Sequence, residues 1–124
     1  MHIPTFAAAA AFAALASTAA LAEAPTTGTT SDGPALVDGK GMTLYVFDKD
    51  TAGKSNCNGQ CATNWPPAKA SASDEASGDF TLVKREDGSS QWAHKGKPLY
   101  TWKNDKKAGD AAGGSVAGWH VAKP

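Results

Sequence analysis

In the middle of the chain the apolar residues do not alternate with polar ones. They fill consecutive positions. Within Thr43-Leu44-Tyr45-Val46-Phe47-Asp48, Leu44 and Val46 fall on one face of an extended strand and Tyr45 and Phe47 on the other. Such a strand needs cover on both sides. Leu99-Tyr100-Thr101-Trp102 repeats the arrangement, with Leu99 and Thr101 opposite Tyr100 and Trp102. Around these runs the pattern is strand, turn, strand. Residues 35–37 lead through Asp38-Gly39-Lys40-Gly41 into residues 42–47. Residues 80–84 lead through Glu86-Asp87-Gly88-Ser89 into residues 91–94, and Lys95-Gly96-Lys97 turns the chain into residues 98–102. This spacing predicts antiparallel hairpins. Helical periodicity is confined to residues 58–65, a short helix that Pro66-Pro67 would stop.

The two apolar runs belong to a longer repeat. Lys40-Gly41-Met42-Thr43-Leu44-Tyr45-Val46-Phe47-Asp48-Lys49-Asp50 returns 55 residues later as Lys95-Gly96-Lys97-Pro98-Leu99-Tyr100-Thr101-Trp102-Lys103-Asn104-Asp105. From Tyr45 to Trp65 is 20 residues, and from Tyr100 to Trp119 is 19. The sequence therefore predicts a duplicated unit. The expected fold is mostly β, a small single domain of two pseudo-symmetric β-hairpin repeats with at most short helices. Repeat one spans 34–68 and repeat two 80–124, joined by an Ala-, Ser- and acid-rich linker over 69–79.

Composition places this domain outside the cell membrane. Residues 7–21 are apolar and alanine-rich, and Ala20-Leu21-Ala22 has the small-x-small form that signal peptidase accepts. Residues 1–22 are expected to be a cleaved signal peptide, too short in the apolar run for a bilayer span of roughly 20 residues. Cleavage leaves 102 residues that carry all 12 basic and all 12 acidic side chains. With no basic surplus there is nothing to hold a nucleic-acid backbone, and no basic amphipathic helix to lie on a membrane. Residues 23–33, rich in Thr, Gly and Pro, are expected to form a flexible leader.

Both Tyr45-Val46-Phe47-Asp48-Lys49-Asp50 and Tyr100-Thr101-Trp102-Lys103-Asn104-Asp105 fit a Y-x-aromatic-x-x-D motif. In this the chain resembles a bacterial family of secreted repeats, described as predicted lipoproteins of unknown function. Cys57-Asn58-Gly59-Gln60-Cys61 running on to Trp65-Pro66-Pro67, and Gly118-Trp119-His120-Val121, are similar to two further segments of that family. The resemblance covers residues 34–122. It implies an envelope location and a duplicated β unit, and it brings no established activity. A lipoprotein needs a cysteine directly after its signal sequence; Ala22 is followed by Glu23, so this member is expected to lack a lipid anchor.

Chemistry has few candidates. Cys57 and Cys61 in an exported protein are most simply a disulfide, which would fix the loop before Trp65 for about 2 kcal/mol. Reduced, the pair could bind Cu(I) through sulfur, with His94, His120 or Met42 as a further ligand. Trp65 stands where a two-copper site would want histidine, and Ala62 where haem attachment would want one. Asp50 and Asp105 follow strand ends, where a carboxylate usually closes a turn. As a pair brought together by the duplication they would be the sole acid–base candidates for a hydrolase. Trp65, Trp92, Trp102 and Trp119 are expected in the core rather than on a stacking platform, because both repeats keep aromatics at matching places.

The expected function is a periplasmic or secreted module that binds an unidentified envelope partner or ligand, or acts structurally, without catalysis or cofactor. The alternative is a periplasmic copper-handling or thiol-redox protein using the C-x-x-x-C pair.

Overall fold

The computed structural model describes residues 24–71 and 73–124, so the expected signal peptide, residues 1–22, lies outside the described residues. In chain order the elements are β1 (Thr26–Thr30), β2 (Gly33–Val37), β3 (Tyr45–Phe47), α1 (Gln60–Asn64), β4 (Lys69–Ala70), β5 (Phe80–Lys84), β6 (Ser90–His94), β7 (Lys97–Pro98), a 3-10 turn (Ala112–Ser115) and β8 (Trp119–Val121). The domain is mostly β, with two repeats, and among the described residues there are two short helical segments.

Each repeat opens on a hairpin: β1 with β2, and β5 with β6. The first corrects the sequence expectation, since the supposed flexible leader, residues 23–33, contains β1. Its threonines are β-branched and suit a pleated strand. Gly28 lets the Val37 side chain lie across it, where a Cβ would come within 3.0 Å of Cγ2. Thr30 closes the turn: Oγ1 donates to the Gly33 carbonyl at 2.8 Å and accepts the Asp32 N–H at 3.0 Å. The linker expected over 69–79 is likewise shorter, because it begins with β4.

After its hairpin each repeat runs through the Leu-Tyr segment, and these two segments meet. The Tyr45 N–H donates to the Tyr100 carbonyl at 2.8 Å, and the Tyr100 N–H donates to that of Tyr45 at 3.0 Å. A pseudo-twofold axis passes between them. Each repeat's closing segment then crosses to the other repeat's sheet. From repeat two, β8 pairs with β3, and Ala122 donates to the Leu44 carbonyl at 2.8 Å while accepting the Leu36 N–H at 2.9 Å. From repeat one, Ala68 donates to the Leu99 carbonyl at 2.9 Å and accepts the Trp92 N–H at 2.8 Å, and β4 pairs with β6. The hydrogen bonds that complete either sheet therefore come from the other repeat, so neither sheet is complete alone.

The central strands are covered on both faces. On one side Tyr45, Cys57, Trp65, Tyr100, Trp119 and Val121 form a core; on the other Leu36, Leu44, Ala68, Trp92, Leu99 and Ala122 form a second. Adjacent residues of one strand, Leu44 and Tyr45, lie in different cores, as the unbroken apolar run requires.

Candidate functional site

The motif residues converge on the pseudo-twofold axis in two crossed latches. The Tyr45 hydroxyl donates to Asp105 Oδ2 at 2.6 Å, and the Tyr100 hydroxyl donates to Asp50 Oδ2 at 2.6 Å. Each tyrosine is thus held by the aspartate of the other repeat. The second carboxylate oxygens close their own loops: Asp50 Oδ1 accepts the Asn56 N–H at 2.6 Å and Asp105 Oδ1 accepts the Ala112 N–H at 2.9 Å. Burial, reinforced by the carboxylate acceptor, holds both phenols well above their ordinary value. Asp50 is also raised, by burial first; the bonds from Tyr100 and Asn56 and the charge of Arg85 pull it partly back.

Beside the latches the aromatic residues stack in one column. Phe47 lies on Trp119 at 4.2 Å between ring centres, Trp119 on Trp65 at 3.8 Å, and Trp65 on Trp102 at 4.1 Å. Repeats alternate along it, one, two, one, two. Tyr45 and Tyr100 meet Trp65 and Trp119 edge-on, at 5.4 and 5.1 Å. Trp65, Trp92 and Trp119 are buried and Trp102 is half-buried at the end of the column. Gly113 makes the packing possible, since a Cβ there would fall 2.9 Å from both Trp65 and Tyr45 ring atoms.

The latches end differently. Around Tyr45 the supporting donor is backbone, the Gly113 N–H at 3.2 Å. Around Tyr100 it is a chain of side chains anchored by the buried Arg85. Arg85 Nη1 donates to Ser55 Oγ at 3.0 Å and to Gln91 Oε1 at 2.8 Å; Nη2 donates to the Cys57 carbonyl at 2.7 Å and to Asn58 Oδ1 at 3.2 Å. Ser55 and Tyr100 are 2.5 Å apart. With Asp50 taking the phenol proton, the Ser55 hydroxyl must donate to Tyr100, and the order runs Arg85, Ser55, Tyr100, Asp50. The expected Cys57–Cys61 disulfide lies next to this chain. In that oxidised form neither sulfur is a thiolate ligand for Cu(I). Arg85 carried no sequence signal: between Lys84 and Glu86-Asp87 it looks like a solvated turn residue.

The remaining candidates lie elsewhere. Met42 sits in the turn closed by Asp38, whose Oδ1 accepts its N–H at 3.0 Å. His94, on β6, packs its ring on Phe80 at 5.0 Å, and burial followed by the charge of Lys95 holds it below the ordinary imidazole value. His120, on β8, is paired with Asp48 at 2.9 Å. The two histidines line one cleft of about 370 Å³ with Lys95, Lys97 and Lys123. Among the described residues no group of three His, Cys, Asp or Glu side chains gathers for a metal ion. Asp50 and Asp105, needed in one site by a hydrolase, stand in separate latches.

This duplicated architecture is also what comparison with known proteins finds. A family model described as a secreted repeat of unknown function matches residues 26–69 and again residues 81–123. The chain belongs to that family of secreted repeats, and the first match begins at β1, where the structure begins its first hairpin. No curated protein and no solved structure matches the chain. Among the described residues no helix is long and apolar enough to cross a membrane.

Proposed function

We propose that this secreted repeat protein is a non-catalytic binding or structural module of the bacterial cell envelope, exported to the periplasm or beyond and working without a resident cofactor. One observation carries the reading: the ionisable residues of the repeated motif are engaged with each other across the axis. A general acid or base must reach a substrate proton. Here each motif carboxylate already accepts a tyrosine hydroxyl and a backbone N–H. The motif thus builds a stiff frame, and recognition falls to the clefts and loops outside it.

Native mass spectrometry tests this on protein exported to an oxidising periplasm and purified without chelator, followed by measurement after denaturation. The expected species is two hydrogens lighter than the reduced chain and free of metal. Reduced thiols together with a copper ion that leaves on denaturation would replace the module with a copper-handling protein.

A further inference from the structure

The duplication provides an internal control. Each side chain of a cleft can be compared with its counterpart in the other repeat, and a difference between the two clefts is what needs a reason. The cleft lined by His94, Lys95, Lys97, His120 and Lys123 has a mate across the pseudo-twofold axis, about 330 Å³, lined by Asp38, Gly39, Lys40, Ala68 and Lys69. In the mate the turn is closed by Asp38, which accepts the N–H groups of Lys40 and Met42, and the left-handed position is given to Gly41. In the first cleft the turn is tighter. Lys95 takes a left-handed conformation, φ 52°, alone among the described non-glycine residues, with Gly96 following at φ 86°. A two-residue turn of this kind favours Asn-Gly. Lysine there is strained, and strain of this sort collects at functional sites.

The strained turn is held firmly. The Lys95 N–H donates to the Asp79 carbonyl at 2.8 Å, and the Gly96 carbonyl accepts the Gly53 N–H at 2.8 Å. Lys95 and Lys97 also line an adjoining hollow of about 310 Å³ that reaches Phe47, Asp50 and Thr51. Val46 and Val121 supply apolar surface, and Asp48 is engaged by His120. Among the described residues neither Lys95 nor Lys97 forms an ion pair. The cleft thus has a firmly held turn backbone, a partly apolar wall and two exposed lysines, Lys95 and Lys97, while Lys123 on its rim is already paired with Asp32 at 3.1 Å.

From this geometry we infer that the cleft between β3, the β6–β7 turn and β8 binds an oxyanion, a carboxylate or phosphate carried on a small body with an apolar edge. Lys95 and Lys97 hold the charged group, and Val46 and Val121 take the apolar edge. The inference rests on the reading of the protein as a binding module.

The test is an amide NMR titration of the disulfide-bonded protein at low salt, using inorganic phosphate and a monomeric uronate as probes. Saturable shifts are expected at residues 46–48, 94–97 and 119–123. Lys97→Ala should weaken binding about tenfold, the loss expected for one charge-assisted contact, whereas Lys40→Ala, in the mate cleft, should leave it unchanged. Lys95→Asn should weaken binding while raising Tm by about 3–6 °C, because it relieves the turn. A structural lysine would not show that opposition. Response to phosphate alone or to uronate alone supports the site and identifies the source of the charge. No saturable shift with either probe, or equal loss from Lys97→Ala and Lys40→Ala, overturns the inference. Protein that is metal-free by mass spectrometry yet silent in the titration would sink this cleft and leave the module standing.

Discussion

The two latches perform one task with different means. At Tyr45 the hydroxyl is bracketed by Asp105 and by the Gly113 N–H, and the only special requirement is a residue small enough to bring the 3-10 turn against Trp65. At Tyr100 the corresponding support is built from Ser55, Arg85 and Gln91 around a loop pinned by the disulfide. Backbone donors come with the fold. A side-chain network needs every member present, because each lost partner strands another polar group in a low dielectric. The Tyr100 half should therefore be the more fragile of the two.

The largest break in that comparison is Arg85→Ala. It removes four donated hydrogen bonds and leaves buried acceptors on Ser55, Gln91 and Cys57. Chemical denaturation should show a loss of about 3–5 kcal/mol, the cost of stranding several buried polar acceptors at about 1–3 kcal/mol each. Its counterpart, Thr30, makes two local hydrogen bonds that close a turn, and Thr30→Ala should cost about 1 kcal/mol. Equal losses at the two positions would mean that the halves do not differ in the way proposed.

Removing the disulfide by Cys57→Ala with Cys61→Ala comes next, at about 2 kcal/mol on the loop-entropy model. The corresponding part of repeat two, around Ala112, holds without a bridge, so the reduced loop has a precedent within the same chain. The doubly substituted protein should stay folded with a lower denaturation midpoint. Wholesale unfolding would show that the bridge is a condition of the fold rather than an addition to it.

The sequence was most informative where the two halves agree. The unbroken Leu-Tyr-Val-Phe run required cover on both faces, and Leu44 and Tyr45 do enter separate cores. The aromatics at matched positions made a shared core reasonable, and three of the four tryptophans are buried. Three things were hidden. The closing segments cross between repeats, which local pattern does not encode, since a strand's apolar face does not name its partner. Asp50 and Asp105 could be placed at strand ends, but their tyrosine partners are 50 and 60 residues away. Arg85 was hidden for a different reason. Its burial follows from Ser55, Cys57 and Gln91 arriving around it in three dimensions, and its charged neighbours suggested solvent.

The crossed pairing can be sharpened with a double-mutant cycle. Tyr45→Phe and Asp105→Asn, in different repeats, should couple by about 1.5 kcal/mol, as expected for a hydrogen bond to a charged acceptor. Tyr45→Phe and Asp50→Asn, in the same repeat, should be additive within about 0.5 kcal/mol. The reversed result would place each latch inside its own repeat.

The smallest effect concerns the acid titration of Asp50. Its folded pKa is raised above the ordinary 3.8, chiefly by burial. A raised carboxyl contributes most to stability below its unfolded pKa, and the contribution disappears as pH rises through the folded value. Acidifying from neutrality toward that window should therefore regain a little stability from this group rather than lose it. The Tyr100 hydroxyl opposes the shift by bonding the ionised form, so Tyr100→Phe should move the Asp50 midpoint further up. A carbon-detected NMR titration of the Asp50 carboxyl, in the parent and in Tyr100→Phe, reads both effects directly. A parent midpoint at or below 3.8 would show that hydrogen bonding rather than burial governs this carboxylate. The Tyr100 latch would then be a stronger closure than its buried, side-chain-built surroundings imply.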